Sequence, residues 1–108
     1  MQELNTLKDW QQAVEQSKNT PVLVMKHSTT CPISAAGYKE FQTFQTDLPK
    51  YCVIVQTSKE VSQKIAEDTR VKHESPQALL LKNEECVWHA SHYDIQQSAL
   101  KKATEPNA

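Results

Sequence analysis

The chain has 108 residues, with 12 Lys and Arg against 13 Asp and Glu, a net charge of -1 and 38% hydrophobic residues. That size and composition suit one globular α/β domain spanning residues 1–108, and the near-zero charge gives nucleic acid or an anionic membrane no electrostatic handle. Its single glycine, Gly37, excludes P-loops and dinucleotide-binding glycine turns, which need several glycines where backbone meets phosphate.

The opening stretch MQELNTLKDW lacks a basic segment followed by an apolar one. No signal peptide is expected, no apolar run approaches the ~20 residues that span a bilayer, and the expected compartment is the cytoplasm. Thr6-x-x-Asp9 resembles a capping box and opens a helix with Leu7, Trp10 and Val14 on one face. The pattern stops near Asn19 and Pro21. Val22-Leu23-Val24-Met25 is a continuous apolar run, as in a strand buried on both faces. A short turn, Ser28-Thr29-Thr30, leads to Cys31 and Pro32. From Pro32 onward Ile33, Ala36, Gly37, Phe41, Phe44 and Leu48 follow a helical period, and Pro49 stops it.

Cys52-Val53-Ile54-Val55 is a second buried strand. Thr57-x-x-Glu60 predicts a capping box for a helix carrying Val61 and Ile65. Pro76 pushes Ser75 toward extended geometry, so residues 71–75 leave the helix. Ala78-Leu79-Leu80-Leu81 and Cys86-Val87-Trp88 predict a hairpin around the turn 82–85. Ser91-x-x-Asp94 predicts the start of a last helix through Ile95, Ala99 and Leu100, and residues 104–108 are expected to fray. The alternation of helices with the first three strands predicts that those strands run parallel, with an antiparallel hairpin at the end. The expected architecture is a central mixed sheet of about four strands flanked by helices on both faces.

Three cysteines, Cys31, Cys52 and Cys86, are too few and too scattered for a disulfide framework, and no C-x-x-C suggests zinc. Cys86, His89 and His92 match no zinc spacing, so no metal is expected. Cys31 differs from the other two. Pro32 is preorganised for the first helical turn, which puts Cys31 at the N-cap. Unpaired amides and the helix dipole favour negative charge there, and the thiolate is the nucleophilic form of cysteine. Cys52 lies in an apolar run, where buried cysteines are inert.

An apolar strand followed by "TTCPIS" at a helix start, with Ser75-Pro76 ahead of a Leu-rich hairpin, resembles the thioredoxin fold over nearly the whole chain. "TTCPIS" together with "HESPQALLLKNEECVW" is most similar to the YtxJ family, the monothiol bacilliredoxins. The resemblance implies that Cys31 is the catalytic cysteine and that Thr30, Pro32, Ile33 and Ser34 form the active-site loop. It implies that Pro76 is a cis-proline facing that loop, with the Ser75 backbone presented to an extended substrate. It also implies a monothiol thiol–disulfide oxidoreductase that removes bacillithiol from protein mixed disulfides. Bacillithiol would be a co-substrate rather than a bound cofactor, the partners would be bacillithiolated client proteins, and a monomer is expected.

Ser34 stands where dithiol relatives carry a second cysteine, so it either fills a vacated place or donates its hydroxyl to the Cys31 sulfur. Glutaredoxin-like relatives hold a lysine near Lys26 for the carboxylate of a small thiol; the alternative is a solvated charge at a strand end. His27 is either a cation beside Cys31 or a loop residue, and Thr30 either shapes the loop or is a plain turn residue. Trp10 and Trp88 are expected in packing. The alternative function is a thioredoxin-like binding module that carries an iron–sulfur cluster or serves as a non-catalytic adaptor. Cluster-binding monothiol relatives place glycine after the cysteine, whereas Pro32 stands here.

Overall fold

The computed structural model describes residues 1–106. The elements in chain order are β1 (Gln2–Glu3), α1 (Leu7–Gln16), β2 (Val22–His27), α2 (Pro32–Thr43), β3 (Lys50–Ile54), α3 (Lys59–Thr69), β4 (Gln77–Lys82), β5 (Glu85–Ser91) and α4 (Gln97–Thr104), with a 3-10 turn at His92–Asp94. They form one five-stranded mixed sheet in the order β1-β3-β2-β4-β5.

The strand alternation decides which helix covers which face. In β2, Val22 and Val24 pack with Trp10 and Ala13 of α1 and with Val61 and Ile65 of α3. Leu23 and Met25 face the other way, onto Phe41 of α2 and Leu100 and Ala103 of α4. Each fully buried side chain of this kind contributes roughly 1.5–3 kcal/mol. β2 is buried along its whole length because it is central and both faces are covered.

Local chemistry sets the element ends. The expected box at Thr6 and Asp9 is present in both directions. α2 has no glycine at its end. The Lys50 ammonium instead donates to the Phe41 carbonyl at 2.9 Å, the Gln42 carbonyl at 3.1 Å and the Phe44 carbonyl, tying the helix exit to the start of β3. Asn83 and Glu84 both have positive φ, 52° and 68°, as a two-residue hairpin turn matching strand twist requires. Their amides donate to Ser17 O at 2.8 Å and Ser17 Oγ at 2.9 Å, which fastens the hairpin tip to the end of α1.

Several expectations are corrected. α2 ends at Thr43 and does not run on to Leu48 and Pro49. The sheet has five strands, because the short β1 pairs with β3 in parallel. β2 and β3 are parallel as expected, but β4 runs antiparallel to β2. Residues 70–76 carry the chain across the sheet end after Arg70 closes α3 in the left-handed region. The N-cap of α3 is Ser58, without a side-chain bond, so the Thr57-to-Glu60 box does not form. Ser91 and Asp94 frame only the 3-10 turn, and α4 begins at Gln97. Thr104 is still helical and is buried, and the last part of the expected fraying tail, residues 107 and 108, lies outside the described residues. No helix among the described residues is long and apolar enough to cross a membrane.

Candidate active site

β2 delivers the chain to the top of the sheet, and α2 starts five residues later. Cys31 is the N-cap of α2 with Pro32 in its first turn, as the sequence predicts. Its backbone is extended (φ -106°, ψ 122°), and its carbonyl accepts the Ala35 amide at 3.0 Å. Its side chain makes no capping hydrogen bond, so the sulfur is not engaged by the first-turn amides. Cys31 is partly exposed. Thr30 and Pro32 are exposed and Ile33 is half-buried beside it.

Ser34 is fully buried, and its hydroxyl settles one of the open alternatives. The oxygen accepts the Ser28 amide at 2.8 Å and lies 2.8 Å from His27 Nδ1. Ser34 therefore grips the loop before the cysteine; its hydrogen-bond partners are Ser28 and His27, not the Cys31 sulfur. His27 stacks on Tyr38 of α2, with ring centroids 4.4 Å apart. Burial pushes the His27 pKa below its ordinary value, which disfavours the cationic form weighed for it. From the other side Gln56 holds the same loop. Its oxygen accepts the Thr29 amide at 3.2 Å, and its nitrogen donates to Ser28 Oγ at 2.8 Å and Thr30 Oγ1 at 3.1 Å. Thr30 thus belongs to the loop's hydrogen-bonded frame.

The Ser75–Pro76 bond is cis. The Pro76 carbonyl accepts the His92 amide at 3.0 Å. A β-carbon on Gly37 would stand 3.5 Å from Pro76, so α2 and the proline loop are adjacent. Ser75 Oγ is buried without a hydrogen-bond partner.

Lys26 departs from expectation. It is fully buried, so it is not a solvated charge at a strand end. The period of two puts it on the α1–α3 face with Val22 and Val24, away from α2. Its ammonium lies 3.0 Å from His73 Nδ1. Burial pushes its pKa down to about 8. In this position Lys26 does not face a small thiol attached to Cys31.

The other two sulfurs are placed differently. Cys52 is buried in β3, and burial raises its pKa to about 11. Cys86 is part-buried; burial raises its pKa, and its Sγ lies 3.2 Å from the Trp88 carbonyl. Cys86 is in register with Leu81, and Leu81 with Val22, at the far end of β2 from His27. Five strand residues separate those ends, roughly 16 Å, so Cys86 cannot resolve a disulfide on Cys31 within this fold. Among the described residues no group of three or more metal-binding side chains comes together.

A thioredoxin fold, a cysteine opening α2 and a cis-proline beside that helix define a class: thioredoxin-fold oxidoreductases with a single cysteine at the helix start. The sequence profile of the family described as monothiol bacilliredoxin BrxC matches residues 2–100, and the chain belongs to that family. It is also similar to a solved structure described as a candidate oxidoreductase with a thioredoxin fold, with 43% identity, TM-score 0.89, and coverage of 96% of this chain and 93% of that one. Thioredoxin from Fasciola hepatica shares the fold at 14% identity and TM-score 0.79, with 100% of each chain covered. Reduced thioredoxin pre-protein from Schistosoma mansoni does so at 20% identity and TM-score 0.78, covering 98% of this chain and 96% of that one.

Sequence reasoning missed Gln56, Tyr38 and His73. Gln56 follows the apolar run of β3, at the sheet end where the loop sits, and that topology was a usable signal. Nothing in the sequence marks Tyr38 or His73 for its ring contact or its lysine partner.

Proposed function

We propose that this protein removes bacillithiol from mixed disulfides on client proteins, with Cys31 as the nucleophile. The observation that carries the reading is the placing of its sulfurs: Cys31 opens a helix and is partly exposed, whereas Cys52 is buried and Cys86 part-buried in the sheet, where burial opposes the ionisation of both. The thiolate of Cys31 attacks the bacillithiol sulfur of the mixed disulfide. A Cys31–bacillithiol disulfide forms, the old S–S bond breaks, and the client leaves as a thiolate that takes a proton from water. Oxidation level is conserved, since one disulfide replaces another. A second thiol then attacks the adduct, releases Cys31 and carries bacillithiol away as a new disulfide. That second thiol must come from outside, because Ser34 has no sulfur and Cys86 is out of reach.

Client backbone would lie along the Ser75–Pro76 segment, beside α2 at Gly37. Turnover requires no metal or bound cofactor, the working unit is a monomer, and the expected compartment is the cytoplasm.

The test is to incubate the protein with a bacillithiolated client and follow mass by peptide mapping. The bacillithiol mass should move to the Cys31 peptide, and Cys31→Ser should end the transfer. Transfer that persists in Cys31→Ser, or an adduct found first on Cys52 or Cys86, refutes the reading. A brown protein with visible absorbance after anaerobic purification would favour the iron–sulfur alternative.

A further inference from the structure

The segment that carries the chain from α3 to Ser75 and Pro76 has little structure of its own. Residues 70–74 form neither helix nor strand. Side chains tie it down instead. Gln77 Nε2 donates to the Lys72 carbonyl at 3.0 Å, and Glu74 meets His92 Nε2 at 3.5 Å. The Lys26 ammonium of β2 lies 3.0 Å from His73 Nδ1, and Ser62 Oγ of α3 lies 3.2 Å from the same nitrogen. The exposed side of this cluster opens on a pocket of about 330 Å³ lined among others by Gln56, Ser62 and His73; Lys26 is not on its wall.

Lys26 and Gln77 are the buried members, at 0% and 1% exposure. They are register partners in β2 and β4. Facing residues of an antiparallel pair point to one side of the sheet, with Cβ atoms roughly 5 Å apart. On that side Lys26 brings an ammonium with three N–H groups, of which the only partner shown is His73. Across from it Gln77 Oε1 is buried without a donor. Ser75 Oγ is in the same condition, so both buried side-chain atoms that lack a partner among the described residues flank Pro76. A cation kept out of water costs stability that an apolar side chain of similar length would not. Departures of this kind from good packing gather where a chain must place something for function.

We propose that Lys26 is a positioning residue for the exchange. Its ammonium serves His73 Nδ1 on one side and Gln77 Oε1 on the other, and so fixes both ends of the stretch 73–77 that carries Ser75 and Pro76. Being fully buried, Lys26 meets no client itself; it works through the backbone on which a client would lie. The inference rests on the reading that clients bind along Ser75–Pro76. It gives Lys26 and Gln77 a part in client affinity and none in the sulfur chemistry.

The experiment compares wild type with Lys26→Met and Gln77→Met. Single-turnover transfer of bacillithiol to Cys31 is followed by mass over a range of substrate concentrations. One substrate is a bacillithiolated peptide; the other is the mixed disulfide of bacillithiol with 2-mercaptoethanol, which has no peptide backbone. Each variant should need about tenfold more peptide to reach half its limiting rate, with the limiting rate itself within about twofold of wild type. On the backbone-free disulfide the variants should match wild type. Wild-type half-saturation by the peptide in Lys26→Met, or an equal loss on both substrates, overturns the positioning role. Should Lys26→Met fold poorly, Gln77→Met decides by the same criteria. A wild type that moves no bacillithiol onto Cys31 sinks the exchange reading itself, and this inference with it.

Discussion

Lys26 and His27 are neighbours in one strand, and the sheet sends them to different worlds. His27 falls on the α2 side, where Tyr38 covers its ring and Ser34 meets its nitrogen. Every polar group named there has a partner, and the result is a fixed loop. Lys26 falls on the α3 side, where one imidazole nitrogen serves two donors beside an open pocket. Burial lowers the pKa of both groups, yet only one side completes its hydrogen bonds. The difference teaches that burial of a titratable residue is not a role in itself; the partners around it decide whether it fixes a loop.

The largest expected effect breaks the Lys26 side. Its folded pKa of about 8 lies below the ordinary 10.5, so between those values the unfolded chain binds more protons than the folded one. Stability should therefore rise as pH rises from 8 to 10.5, by on the order of 3 kcal/mol from this residue. Lys26→Met should lack that rise and be the more stable protein at pH 7. Urea unfolding of both proteins across the window is the check, and parallel pH curves would show that the lysine is not desolvated.

Ser34→Ala breaks the other side. It leaves the Ser28 amide and the His27 nitrogen without their buried partner, and a loss of about 2 kcal/mol is expected. Ser34→Cys should lose a comparable amount, because sulfur accepts the amide poorly. If Ser34→Ala unfolds at the wild-type urea midpoint, the clamp is illusory.

Gln56→Ala sharpens the comparison, since this side chain touches both the loop and the pocket. Its bonds are exposed, so about 1 kcal/mol or less is expected globally. The local effect should be clearer: faster hydrogen exchange at the Thr29 amide, with Ser28, still held by Ser34, unchanged. Equal acceleration at both amides would mean that the two grips act as one.

The smallest effect concerns Gly37. An added β-carbon would meet Ile95 at 3.4 Å and Pro76 at 3.5 Å, close to ordinary contact. Alanine should gain helix propensity worth up to about 1 kcal/mol. A Gly37→Ala protein between equal and slightly higher in thermal midpoint is the expected result; a marked drop would show that α2 and the proline loop have no room to adjust.

Much of this was legible beforehand for physical reasons. Period and punctuation located β2, α2 and the hairpin, and Pro32 located the N-cap because its missing N–H belongs only in a first turn. The direction of β4 was not legible, since helices between strands suggest parallel pairing and nothing in residues 70–76 announces a crossing. Two S/T-x-x-D/E patterns failed as caps because such spacing is common and the backbone decides whether the side chain can reach back. The burial of Lys26 was legible in principle: it continues the Val22, Val24 alternation, and only the habit of placing lysine at the surface hid it. The job of Ser34 was not legible, because its partners are six and seven residues away, outside any local turn pattern.

The scattering of the sulfurs has a consequence for how such a protein must live. With Cys31 alone at its end of the sheet, a disulfide formed there would have no second sulfur of this fold within reach to resolve it. On the proposed exchange, each captured passenger would stay aboard until a free thiol arrives from solution, so clearance would scale with the surrounding thiol concentration. The fraction found loaded would then report the cell's supply of reductant, not any property of the fold.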